Sequence, residues 1–201
     1  MKKSKKSTIE TVILLLIIAA VIFACCFMLQ KKSKERAQEE AQLAAQKTEV
    51  ELLLEMDIEN GYPKTVRAVL KLYSRIVQCL HNEEITDAQI SAMALQLRTL
   101  FDEEFLANNP YNEHVDSLIL EVAEYDMLDR TIPAYEIDSI KSLEEWENEN
   151  GKFCSLVACY SIKEAEQYGR IYEKFLFRLS EDNNWKIVGW EKADENDMEA
   201  D

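Results

Sequence analysis

Two histidines, five cysteines and an abundance of carboxylates are the side chains of this 201-residue chain that could do chemistry. His81 falls at the end of an expected helix, where a cation suits the helix dipole. His114 falls in an expected first helical turn, facing solvent. No serine or cysteine has an evident base partner, so no catalytic residue is assigned. Cys25 and Cys26 lie in an apolar run, and Cys79, Cys154 and Cys159 in the part expected to fold. There is no CxxC and no Cys/His cluster, which argues against a zinc site or a disulfide framework, and no metal ligand or cofactor-binding residue is assigned. Cys154 and Cys159 stand at odd spacing in one expected strand, so they face opposite ways and do not pair. The three thiols of the folded part read as small apolar core residues.

Carboxylates come in runs: Glu83-Glu84, Asp102-Glu103-Glu104 and Glu144-Glu145. The stretch Glu145-Trp146-Glu147-Asn148-Glu149-Asn150-Gly151 alternates acids and carries a glycine, but its spacing to a closing bidentate glutamate is wrong for a calcium loop, so it reads as a polar hairpin or loop. Trp185 and Trp190 are five apart in one short expected strand, which puts them on opposite faces, one in the core and the other over an edge or a partner surface.

Charge is placed unevenly. Residues 1–47 hold 9 basic and 4 acidic residues, and the remaining 154 hold 14 basic and 34 acidic. So acidic a region repels phosphate backbones, which argues against nucleic acid as a partner. Its plain reading is solubility.

Residues 11–30 (TVILLLIIAAVIFACCFMLQ) carry no charge, with Lys2, Lys3, Lys5 and Lys6 before them and Lys31, Lys32, Lys34 and Arg36 after. Nineteen residues wound as a helix reach about 28 Å, close to the thickness of a bilayer's hydrocarbon. The run reads as an uncleaved membrane helix. It has no obvious small-x-small cleavage site, and Ile22-Phe23-Ala24-Cys25 is a poor lipoprotein site because Phe23 is bulky. Basic residues flank both ends almost equally. The short lysine-rich tail and the acidic remainder favour the tail inside and the large part outside, although free thiols outside argue mildly the other way. The expectation is a single-pass cell-membrane protein with an extracytoplasmic C-terminal domain. Its partners are the bilayer and other membrane or cell-envelope proteins.

Residues 31–54 are strong helix formers with no Gly or Pro, which predicts a helical stalk. Val50, Leu52, Leu54, Met56 and Ile58 alternate with mostly acidic residues, so a short strand or a helix end docking on the domain stays open. Three helices follow. The first starts at Thr65 with a stripe of Val66, Val69, Leu70, Tyr73, Ile76, Val77 and Leu80; the second opens on a Thr86/Gln89 capping box; the third is capped by Asn112. Pro133 starts an extended region with a strand over 135–143. The stretches 152–163, 170–179 and 185–191 read as strands of an antiparallel meander, the first of them central because both its faces are apolar.

Helices followed by a meander make an α+β arrangement. The ending NNWKIVGWE, after a long strand pair and a helical first half, resembles the NTF2-like (cystatin-like α+β) superfamily. The opening GYPKTVRAVLKLYSRIVQCLHNEE is similar to a membrane-anchored group of Gram-positive bacterial proteins. The resemblance covers residues 50–193 and implies a curved antiparallel sheet wrapped on three helices, often around a pocket. The expected order is a basic cytoplasmic tail (1–10), a transmembrane helix (11–30), a helical stalk (31–59), the NTF2-like domain (60–193) and an acidic disordered tail (194–201). On such a fold a desolvated carboxylate and a tyrosine can do acid–base work. Tyr160 and Tyr172 lie on strands that could face a pocket, but no Asp or Glu can be set opposite them, so both read as core residues. The functional expectation is a membrane-tethered, non-enzymatic interaction or assembly module. The alternative is a pocket enzyme or small-ligand binder, which a carboxylate of raised pKa in a polar pocket would favour.

Overall fold

The computed structural model describes residues 47–139 and 143–198. Five α-helices come first: α1 (Glu49–Leu54), α2 (Val66–Asn82), α3 (Asp87–Leu100), α4 (Glu103–Asn108) and α5 (Tyr111–Met127). Four of them begin where a side chain can accept a free backbone N–H. Thr48 and Thr86 form reciprocal boxes with Glu51 and Gln89, Thr65 accepts from Ala68, and Asp102 accepts from Glu104. Helix α5 begins at Tyr111 behind Pro110, without the cap expected of Asn112. Thr86→Ala should lower stability by about 1 kcal/mol, seen as an earlier midpoint in urea unfolding of the full chain. An unchanged midpoint would show that the cap contributes nothing.

The architecture expected from sequence, a transmembrane helix and helical stalk followed by three helices on a curved antiparallel sheet, needs correction. Among the described residues there are five helices, and none is long and apolar enough to cross a membrane. Helices α2, α3 and α5 are the three foreseen; each buries one stripe and turns charge outward. Helix α1 lies within the stretch 31–54 expected to be helical and is the helix end docking on the domain that the alternation at 50–58 left open; α4 is additional, and its six residues are too few to display a helical period. Helix α1 buries Val50 and Leu53, so the chain beyond Thr48 docks on the domain rather than spacing it from a membrane. The expected tail, the membrane run 11–30 and the stalk up to residue 46 lie outside the described residues.

The antiparallel sheet has β1 (Arg130–Ile137), β2 (Glu144–Asn148), β3 (Gly151–Glu164), β4 (Gln167–Leu179) and β5 (Trp185–Ala193). Its order is β1-β3-β4-β5, and β2 pairs with the first half of β3 while β1 pairs with the second. Strand β3 is the centre, and its residues from Phe153 to Tyr160 are all buried. Cys154, Leu156, Ala158 and Tyr160 join the core beneath the helices, as do Phe175, Phe177 and Ile187 of the next strands. Fully burying a side chain the size of Phe175 or Phe177 stabilises the fold by about 1.5–3 kcal/mol.

Two irregularities set what the helices meet. Strand β1 starts at Arg130, ahead of Pro133, because a bulge between Thr131 and Ala134 absorbs the proline at a sheet edge. There Asn82 Oδ1 accepts from the Ile132 N–H at 2.8 Å, and the amides of Gln78 and Asn82 donate to the Ile132 carbonyl. In β5, Phe177 faces Ile187 but the adjacent Leu176 faces Gly189, so Val188 is an extra residue. This bulge resets the alternation. Trp185, Ile187 and Trp190 pair with Leu179, Phe177 and Phe175, which share a face. The two tryptophans therefore point to the same side, correcting the reading from their spacing.

Candidate functional site

A cavity of about 510 Å³ lies between the helices and the sheet. Its aromatic wall is built from α2, α4 and β5. Trp190 stacks on Phe175 at 5.7 Å between ring centroids and meets Tyr73 and Phe105, both at 5.6 Å. Phe101, at the end of α3, lies 6.2 Å from both Tyr73 and Trp190. Leu97, Leu118 and Ile162 add apolar lining. Partly exposed Glu121, Ile171 and Trp190 stand toward solvent.

Polar groups enter from three sides. Glu173 of β4 shares the inward face with Ile171 and Phe175. Burial, and then the charge of Glu121, push its carboxyl up to about 7. Glu121 of α5 has its own carboxyl raised, by the crowding of the cavity wall and then by Glu124. Its Oε1 lies 3.0 Å from Nε2 of His81, which the last turn of α2 carries inward. Burial drops the imidazole to about 4, so His81 is neutral near pH 7 despite its carboxylate neighbour. With Glu121 ionised, Nε2–H donates to it, and Nδ1 is a buried acceptor with no protein partner among the described residues. The His81 ring packs on Tyr125 at 4.0 Å. Tyr73 is held above its ordinary pKa chiefly by burial, and so is Tyr160, whose hydroxyl lies 2.8 Å from the Ser74 hydroxyl; both are neutral phenols.

A carboxyl that titrates near neutrality beside neutral phenols can hold or release a proton at physiological pH, the condition for general acid–base work. It can equally meet a cation or donate a hydrogen bond. Among the described residues no group of three His, Cys, Asp or Glu is placed to hold a metal ion.

The residues singled out from sequence scatter. His81 and Tyr160 both line the cavity, and so does His114, which is half-buried against Phe101 rather than facing solvent. Tyr172 opens to the other face of the sheet, in a cleft with Arg67, Lys71 and Arg170. Cys79, Cys154 and Cys159 are buried free thiols, the first two pushed up to about 12 by burial. Glu144 pairs with Lys174 and Glu145 with Lys152, one on each face of β2, and the stretch up to Gly151 is the β2–β3 hairpin. Glu173 and Glu121 were missed. The signal for Glu173 is its place as the charged residue in the inward series Ile171, Glu173, Phe175, Phe177, Leu179; Glu121 likewise interrupts the stripe of α5 between Leu118 and Tyr125.

Fold and cavity together define an α+β pocket domain, with helices closing one face of an antiparallel sheet. The chain belongs to the family described as domain of unknown function DUF6715, whose model matches residues 1–190. Among curated proteins none matches it.

Proposed function

We propose that the domain is a membrane-tethered binding module that holds a small organic molecule in the cavity between helices and sheet. The observation that carries this is the cavity. Its volume of about 510 Å³ suits a small ligand, and its lining is mostly apolar with a few converging polar groups, Glu173 foremost. The tether rests on the uncharged residues 11–30 and the lysines flanking them, and the extracytoplasmic side on the acidity of the rest of the chain. Kinship with NTF2-like domains belongs to the same proposal. Its support is the set of helices laid on one face of an antiparallel sheet around a cavity.

A non-enzymatic interaction or assembly module is the second reading, and it has its own observation. Strand β4 runs past β5, so among the described residues 167–171 are paired on one side only, by β3. Tyr168 there is 73% exposed and Ile171 42%. Such an edge suits a protein partner. Native mass spectrometry of the full chain, extracted from its membrane with a C-terminal tag, separates the readings. A small molecule bound one to one, and lost when Leu118→Trp fills the cavity, is the expected result. A chain that carries no small molecule but brings a stoichiometric protein would overturn the pocket reading in favour of assembly.

A further inference from the structure

We propose that the molecule held in the cavity is a cationic amphiphile, an amine or substituted ammonium on an apolar body, with its nitrogen between Glu173 and Glu121 and its body against Trp190, Tyr73 and Phe105. This rests on the pocket reading above and names the ligand's chemical class. Two features point to it, and neither is a matter of acidity alone.

The first feature is the balance of charge inside. Tyr73 and His81 face the cavity from α2, His114, Glu121 and Tyr125 from α5, Tyr160 from β3 and Glu173 from β4. The tyrosines are neutral, His81 is neutral at pH 7, and burial and then Arg98 hold the His114 imidazole below its ordinary value, so the two carboxylates have no cation among these groups at pH 7. Lys192 of β5 stands opposite Glu173 in the strand register, yet it is exposed and no ion pair joins the two among the described residues. Arg98 donates to the Asn109 carbonyl, and Arg130 pairs with Glu164 while lying 5.1 Å over the Tyr125 ring; among the described residues neither forms an ion pair with Glu173 or Glu121. An anionic ligand would meet two carboxylates and the negative faces of aromatic rings. A cation would relieve both carboxylates at once.

The second feature is the aromatic floor beside the carboxylate. Glu173 lies two residues from Phe175 on one face of β4, about 7 Å along the strand. Trp190 sits across from Phe175 and stacks on it, with Tyr73 and Phe105 closing the sides. Aromatic faces next to a carboxylate are the surroundings that favour an ammonium over a neutral isostere. Because the carboxylate form of Glu173 binds the cation, affinity tracks the fraction ionised and rises about tenfold from pH 6 to pH 8.

Calorimetric titration of the full chain in lipid nanodiscs, with empty nanodiscs subtracted, tests this with three probes of one shape: 2-phenylethylamine, 2-phenylethanol and 3-phenylpropionate. The amine should bind about tenfold tighter than the alcohol at pH 8, and the carboxylate weakest. Glu173→Gln should cut the amine's advantage several-fold and flatten its pH dependence, and an intact urea-unfolding transition shows that the variant is folded. Equal binding of amine and alcohol, or an amine advantage that Glu173→Gln leaves undiminished, overturns the cationic ligand and leaves the pocket reading standing. Binding of none of the three overturns both.

Discussion

Asp102→Ala should destabilise the domain by about 3–5 kcal/mol, one of the largest losses expected of any single polar side chain here. Asp102 is buried at the corner between α3 and α4, and it answers three elements at once. Its Oδ1 accepts from the Glu104 N–H at 2.9 Å and so caps α4. Its carboxylate takes two bonds from the Arg178 guanidinium of β4, Nε to Oδ2 at 2.9 Å and Nη2 to Oδ1. Its backbone N–H donates to the Ile187 carbonyl at 2.8 Å, next to the β5 bulge. Alanine keeps only the last of these. Arg178 would then have Glu104, 3.4 Å away and mostly exposed, as a weak substitute. Asp102→Asn keeps the cap and loses the charge, so it should cost roughly half as much. Urea unfolding of the three chains checks this, and the double change Asp102→Ala with Arg178→Ala should cost less than the two singles added. Full additivity would mean that the ion pair contributes nothing and that the loss comes from the cap alone.

That corner also shows where sequence stops being legible. The run Asp102-Glu103-Glu104 was visible as a run of carboxylates, but the arginine that makes Asp102 a bolt is 76 residues away, and no local pattern joins them. What was legible is local. The stripe of α2 and the Thr86/Gln89 box appear in the structure as read, because spacing and capping are decided within a few residues. Likewise β3 is central because a strand apolar on both faces has to be covered on both. Short elements were less legible. Helix α4 is too brief for a period, and β2 is exposed along its whole length, so it offers no alternation; α1 was legible as helix from its composition, and as docked only as one of two readings.

The failure at the tryptophans is of another kind. Parity along a strand holds only while the ladder is regular, and Val188 breaks it. With strict alternation Trp190 would leave the cavity and Trp185 alone would face the helices. The bulge gives the cavity its aromatic wall, and nothing in WKIVGWE beyond Gly189 hints at it. The same dependence on pairing hid the carboxylates. Glu173 and Glu121 each stand out as a charged residue in an apolar series, but only the way α5 lies across the cavity from the sheet brings the two into one lining.

Glu173→Gln should therefore change how stability depends on pH. In the folded chain burial and the nearby Glu121 hold the Glu173 carboxyl at about 7, against 4.5 for the free side chain. Between those values the folded state keeps a proton that the unfolded state has released, so the stability of the parent chain falls as pH rises through the window. Below about 4.5 both states are protonated and the penalty is absent; above about 7 both are ionised and the penalty is complete. It amounts to about 3 kcal/mol, at 1.36 kcal/mol for each tenfold change in proton affinity. A glutamine carries no such dependence. Its buried amide adds an offset of its own, but one that is the same at every pH, so the informative quantity is the difference between the two chains followed from pH 4.5 to pH 8. That difference should grow by about 3 kcal/mol in favour of the variant, in urea unfolding of both. The charge of Glu121 adds to the rise at Glu173, and the Glu121 carboxyl is itself raised, by burial and then by Glu124. Parallel pH profiles would show that Glu173 is solvated like any surface carboxylate, and the cavity would lose its charged group. Growth of the difference with pH would mark Glu173 as a side chain the fold would be more stable without, which is the condition expected of a residue kept for what it binds.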